Sequence, residues 1–178
     1  DKAGLMWFGT YDGVNCYDGK GMEIFRSDFS ADQTLSNNVI HSIQQADSSC
    51  LWITTHLGVN RFSQNARQIV GSYDFSGDYY LYSNAKGNTW VVSHDGIYYY
   101  NTYHRKFVHL KELPTEMEVV ERRSFVADDG VLWFFPSNTG SLQQFSLDSF
   151  EQDTLTGKVT TTLTDFHAKP IDDVFYQN

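Results

Sequence analysis

Residues 35–63 read LSNNVIHSIQQADSSCLWITTHLGVNRFS, and this stretch decides the fold. Its β-branched and aromatic residues fall in short runs divided by polar turns, the pattern of consecutive strands. A first strand is expected over 39–46, a second over 51–55 around Trp52, and a third over 58–62. Residues 68–73 supply a fourth. Leu51, Trp52 and Ile53 are apolar without alternation, as in a strand covered on both faces. Gly58 stands at the turn between second and third strands, where a positive φ favours glycine.

The same unit recurs at each of the four tryptophans, Trp7, Trp52, Trp90 and Trp133. DKAGLMWFGTYDGVNCYD surrounds the first, NAKGNTWVVSHDGIYYYN the third and DDGVLWFFPSNTGSLQQFS the fourth. The intervals are 45, 38 and 43 residues, and Gly13, Gly58, Gly96 and Gly140 follow six or seven residues after each Trp. A period of about 40–45 residues with a Trp-bearing strand fits a four-stranded propeller blade. No stretch of useful length carries the 3.6-residue periodicity of a helical repeat. The expected fold is therefore all-β: a β-propeller of four blade repeats, at roughly 1–30, 38–75, 78–112 and 118–166.

The first repeat opens at its second strand, and residues 171–176 (IDDVFY) read as an inner strand with no blade after it. That strand either completes blade one, closing a four-blade ring, or starts the next blade of a larger propeller. Both arrangements answer the same need, because an open stack exposes strand edges and apolar end faces.

Over its 178 residues the chain carries a formal charge of -9. This disfavours nucleic acid and anionic membrane surfaces, which select clustered Lys and Arg. No apolar run is long enough to span a membrane, and no signal peptide is visible. Cys16 and Cys50 occupy non-corresponding repeat positions with no CxxC, and they read as small apolar fillers. No P-loop, GxGxxG or GxSxG occurs, and no cofactor is implied.

The segment 35–63 resembles the two-component regulator propeller repeat. The shared features are a Leu-Ser-Asn start, an Asp turn, Leu-Trp, a Thr-Thr or Gly-Thr pair, and Gly-Val followed by Asn-Arg-Phe. The first repeat matches as well, through LMWFGTYDGVNCYD. The third departs at Thr89, and the fourth departs at Phe135-Pro136. The resemblance implies a non-catalytic, periplasmic sensor region of a membrane-anchored hybrid histidine kinase, of the kind that detects oligosaccharides in gut Bacteroidetes. It implies partners of two kinds: an oligosaccharide ligand, and either a second copy or further blades of the parent protein. A protein-interaction scaffold and a carbohydrate-active enzyme are the alternatives.

Propeller ligands usually sit over the inner-strand starts and the turns between second and third strands. Those places hold Tyr11, His41, His56, Tyr79, His94, Arg122 and Asn138. Aromatic rings stack on the C–H face of a pyranose, and His, Arg and Asn hydrogen-bond its hydroxyls. Each residue singly also suits a turn or a solvated strand end. The histidines show no HxxxH or HExxH spacing, so no metal site is expected, although His41, His56 and His94 could converge in space, as blades bring distant positions together. Asp128-Asp129 and Asp172-Asp173 are the paired carboxylates that a glycosidase reading requires. Residues 112–123 read as a charged, solvated loop.

Overall fold

A computed structural model of the chain describes residues 4–75, 77–93, 96–109, 124–134, 142–151 and 154–162. Among them every regular element is a strand. Internal contacts divide the chain into two compact units, Asp1–Gly77 and Asp78–Asn178.

The first unit holds two antiparallel sheets. One contains β1 (Met6–Thr10), β2 (Gly13–Tyr17) and β3 (Met22–Phe25), in that order. The other contains β4 (Ile40–Gln45), β5 (Cys50–Thr55), β6 (Gly58–Ser63) and β7 (Gln68–Asp74). Every strand pairs with its sequence neighbour, so each sheet is a simple up-and-down meander. The turn glycines expected to need positive φ have it: +104° at Gly13 and +150° at Gly58.

The second unit repeats the plan. One sheet holds β8 (Tyr79–Ser83), β9 (Thr89–Ser93), β10 (Gly96–Asn101) and β11 (Lys106–His109). The other holds β12 (Ser124–Val126), β13 (Leu132–Phe134), β14 (Leu142–Glu151) and β15 (Thr154–Thr162). Its two sheets are joined at one end by the Asn84 amide, which donates to Ala127 O (2.6 Å), and by the Trp90 indole, which donates to Gly130 O (3.1 Å). Successive four-stranded antiparallel sheets of this order are consistent with propeller blades. No sheet closes on itself among the described residues. Gly140 and residues 171–176 lie outside them.

Facing sides of the two sheets make the core of the first unit. Trp7, Val14 and Phe25 of the first sheet meet Ile40, Ile43, Leu51, Ile53, Phe62 and Ile69 of the second. Leu35, in the connection between the sheets, completes the cluster. Trp7, Phe25 and Phe62 form an aromatic group in which Phe62 meets both partners edge-on, at 5.3 and 4.8 Å between ring centroids. Arg67 closes its rim: the guanidinium lies over Trp7 (5.4 Å) and Phe25 (5.1 Å) and pairs with Glu23. Cys16 and Cys50 are buried free thiols, as their reading as apolar fillers requires.

Gly9 marks a close approach of the sheets, since a Cβ there would lie 2.6 Å from Ile40 Cγ2 and 3.1 Å from Ile40 Cβ. Ile40 is β-branched and stiff at χ1, so it yields little. Gly9→Val is accordingly expected to cost about 1–3 kcal/mol by overpacking. Chemical denaturation checks this, and an unchanged midpoint would contradict the close approach.

The Trp strands do not all share the double burial that their composition predicts. β5 and β9 are buried at every position. β1 is exposed except at Trp7. The cause is a missing neighbour rather than a different sequence character. β1 is an edge strand among the described residues, and only its Trp7 face is covered by the second sheet.

Candidate functional site

Three of the seven candidate residues gather at one end of the first unit. Tyr11 sits in the β1–β2 turn, His56 in the β5–β6 turn, and His41 at the start of β4. The two turns are built alike. Thr10 and Thr55 each place a hydroxyl that donates to the carbonyl of the turn glycine, Gly13 at 2.8 Å and Gly58 at 3.0 Å. Each hydroxyl oxygen also accepts a main-chain N–H two residues on, from Asp12 (3.1 Å) and Leu57 (3.2 Å). Such side-chain closure holds the turn open-faced, with its central residues pointing outward. Tyr11 is 88% exposed in consequence.

His41 is brought beside His56 by an irregularity in the ladder. Ile40 pairs with Thr55 and Ser42 with Thr54, so His41 is the extra residue of a β-bulge. Bulges re-aim a side chain that a regular strand would place elsewhere. The His56 N–H donates to Val39 O (3.1 Å), which pins the turn to the entry of β4. The imidazoles meet edge to face, with centroids 6.0 Å apart at 73°. Both are exposed.

Residues 36–38, Ser-Asn-Asn, form the frame beneath. The Ser36 N–H donates to Asn60 Oδ1 (3.0 Å), and the Asn60 amide donates to Ser36 Oγ (2.8 Å). Ser36 and Thr55 share a hydroxyl hydrogen bond of 2.9 Å. Asn37 Oδ1 accepts from Val39 N–H (2.8 Å). Asn38 Oδ1 accepts from Ser27 N–H (2.7 Å), and its carbonyl accepts from Gly13 N–H (2.8 Å). The connection thus ties both turns to one scaffold. None of these residues was a candidate from sequence, although the place of most of them in the Leu-Ser-Asn and Thr-Thr motifs of the resembled repeat was the available signal.

Asp12, beside Tyr11, receives two hydrogen bonds from the Arg26 guanidinium, at 2.6 and 3.1 Å. These bonds hold its carboxyl below the usual carboxylate range, slightly opposed by desolvation and assisted by the Arg26 charge. At the opposite end of the second sheet, Asp47 caps the β4–β5 turn. Burial opposes its ionisation, but hydrogen bonds from Ser49 N–H, Arg61 and the Ser49 hydroxyl outweigh that, and its pKa lies below the ordinary 3.8. This carboxylate belongs to the turn.

Tyr79 is placed differently from the rim residues. It is buried at the start of β8, paired with Ser93. Asp128 and Asp129 lie in the β12–β13 turn, where Asp129 Oδ1 accepts from Val131 N–H (3.0 Å), as a turn former does. His94, Arg122, Asn138, Asp172-Asp173 and residues 112–123 lie outside the described residues. Among the described residues no three His, Cys, Asp or Glu side chains gather to hold a metal ion, and no helix is long and apolar enough to cross a membrane.

No protein-family model matches the chain, and no curated protein is significantly similar to it. Solved structures do match. One is described as the extracellular domain of the hybrid two-component system BT3049 from B. thetaiotaomicron, with a TM-score of 0.58 and 15% identity over 85% of this chain. Another is the corresponding domain of BT4673 from the same organism, with a TM-score of 0.60 and 16% identity over 91% of this chain. The chain spans 21% and 23% of the lengths of those two domains. A catalytically inactive virginiamycin B lyase from Staphylococcus aureus, solved with quinupristin, matches with a TM-score of 0.56 and 14% identity, over 89% of this chain and 51% of the lyase. At these identities the likeness is one of fold. The two extracellular domains come from the family of sensors whose repeat residues 35–63 resemble.

Proposed function

We propose that the chain is part of the extracytoplasmic ligand-sensing propeller of a membrane-anchored hybrid two-component sensor, and that its ligand is an oligosaccharide. The observation that carries this reading is the outward-facing cluster of Tyr11, His41 and His56 on a rigid hydrogen-bonded frame. An exposed phenol ring at the same end of the unit as two imidazoles offers a stacking face and several hydroxyl partners, the chemistry a sugar ring calls for. The shared fold with extracellular domains of two-component systems supports the sensing role and the periplasmic location. His94, Arg122 and Asn138 are proposed to extend the site from the other repeats. Four blades in a ring, or a larger propeller, would carry these positions on one face. The role needs binding without turnover, so the chain is proposed to be non-catalytic.

A thermal-shift screen against plant and host oligosaccharides tests the reading, because a ligand selective for the folded form raises the melting temperature. One glycan class is expected to shift it and to be recovered intact. Tyr11→Ala, His41→Ala and His56→Ala should each weaken that binding by about two- to tenfold, the loss of one stacking or hydrogen-bonding group. As exposed residues they should leave unliganded stability within about 0.5 kcal/mol. Cleaved glycan would replace the sensor reading with an enzyme. Binding untouched by all three substitutions would remove the site from this rim.

A further inference from the structure

His41 and His56 are held near each other by their main chains and left free at their rings. The bulge that pairs Ile40 with Thr55 and Ser42 with Thr54 sets the place of His41. The hydrogen bond from His56 N–H to Val39 O ties the β5–β6 turn to that place. The Thr55 hydroxyl stiffens the turn, donating to Gly58 O and accepting from Leu57 N–H. Both side chains are exposed, and their ring centroids lie 6.0 Å apart at 73°. Among the described residues the nitrogens of neither ring have a hydrogen-bond partner. A neutral imidazole in that condition keeps a nitrogen lone pair open to a metal ion.

A metal ion about 2.0–2.1 Å from one nitrogen of each ring sets the two ring centres about 4.5–5.5 Å apart, at N–metal–N angles of about 90–110°. The observed 6.0 Å closes to that range by rotation of two exposed side chains, whose terminal torsions are broad. The rings then act as a chelate. Once one holds the ion, the other meets it at an effective concentration of about millimolar or higher. Imidazole suits Cu²⁺, Ni²⁺ and Zn²⁺, and Cu²⁺ stands first in the divalent order. Mg²⁺ and Ca²⁺ prefer oxygen. No group of three His, Cys, Asp or Glu forms among the described residues, so water takes the remaining positions and the ion exchanges. A structural zinc site is instead closed by four protein ligands.

We infer that His41 and His56 form a two-imidazole site for an exchangeable divalent transition-metal ion, with Cu²⁺ bound most tightly. The site needs no glycan and its test contains none, so its failure and the failure of the oligosaccharide reading are distinguishable.

Isothermal titration of the 178-residue chain with CuCl₂, NiCl₂, ZnCl₂ and MgCl₂ at neutral pH is the test. Cu²⁺ is expected to saturate one site, more tightly than Ni²⁺ or Zn²⁺, and Mg²⁺ to bind no more than in a blank. His41→Gln and His56→Gln should each weaken Cu²⁺ at least about tenfold, and the double variant little further, because either loss breaks the chelate. His104→Gln removes an exposed imidazole that packs on Tyr103, away from the pair, and should change nothing. Electron paramagnetic resonance of the Cu²⁺ complex should show two nitrogen ligands, reduced to one in either single variant. Unchanged circular dichroism of the variants would show that the fold is kept. No saturation at about 1 mM metal, a loss below about twofold in either single variant, or equal binding of Mg²⁺ would each overturn the inference. So would a loss in His104→Gln as large as in His41→Gln, which would put the ion elsewhere.

Discussion

Replacing Phe62 by alanine is expected to remove about 3–5 kcal/mol of stability, the range for deleting a buried aromatic ring and leaving its cavity. The ring is buried in the centre of the first unit and meets Trp7 and Phe25 edge-on. Aromatic pairs of this geometry add about 0.5–1.5 kcal/mol beyond area burial. Phe62 joins the two sheets, so its loss should loosen their contact and not only one strand. Phe62→Leu keeps most of the volume and should cost much less, within about 2 kcal/mol. Denaturant titration followed by tryptophan emission reads both, because Trp7 reports on the same cluster. A midpoint for Phe62→Ala within error of wild type would contradict the sheet–sheet core.

Asn60→Ala is the second large effect, and its comparison with Asn15→Ala gives it force. The Asn60 side chain is fully buried, and it serves Ser36 twice and Ser72 once. Alanine leaves the Ser36 N–H and hydroxyl without this partner, at about 1–3 kcal/mol for each group left unsatisfied out of water. The expected total is about 2–4 kcal/mol. Asn15 holds the same place in the first repeat but stands half-exposed, beside Thr10. Asn15→Ala should therefore change stability by no more than about 0.5 kcal/mol. Equal costs at the two positions would mean that the buried network around Ser36 is not what holds the connector.

The paired asparagines also locate the limit of sequence reading. Both sit in a Gly-Val-Asn motif, and nothing local separates them. The strands over 39–73 were legible because alternation, β-branching and turn glycines are local properties, and β4–β7 stand where those signals put them. The requirement for positive φ at Gly13 and Gly58 was legible for the same reason. Burial was not. Leu5-Met6-Trp7-Phe8 is as apolar as Leu51-Trp52-Ile53, yet β1 is largely exposed and β5 is buried throughout.

The candidate rim divides in the same way. Tyr11 and His56 could be assigned to turns from the repeat and its turn glycines, and the structure shows the Thr10 and Thr55 hydroxyls closing those turns. The approach of His41 to His56 depends on a β-bulge, a property of paired strands that one strand's sequence does not encode. Tyr79 looked like a rim aromatic at a strand start, and packing has taken its ring inside.

By itself, then, the amino-acid order determined the repeat, the strands, their turns and the all-β class, since each depends on residues a few positions apart. Only the tertiary structure decided which equivalent faces are covered, which turns meet, and which connector residues bear the frame. Those outcomes depend on groups far apart in the chain, whose apolar area and hydrogen-bonding capacity are satisfied or left open by whatever lies opposite.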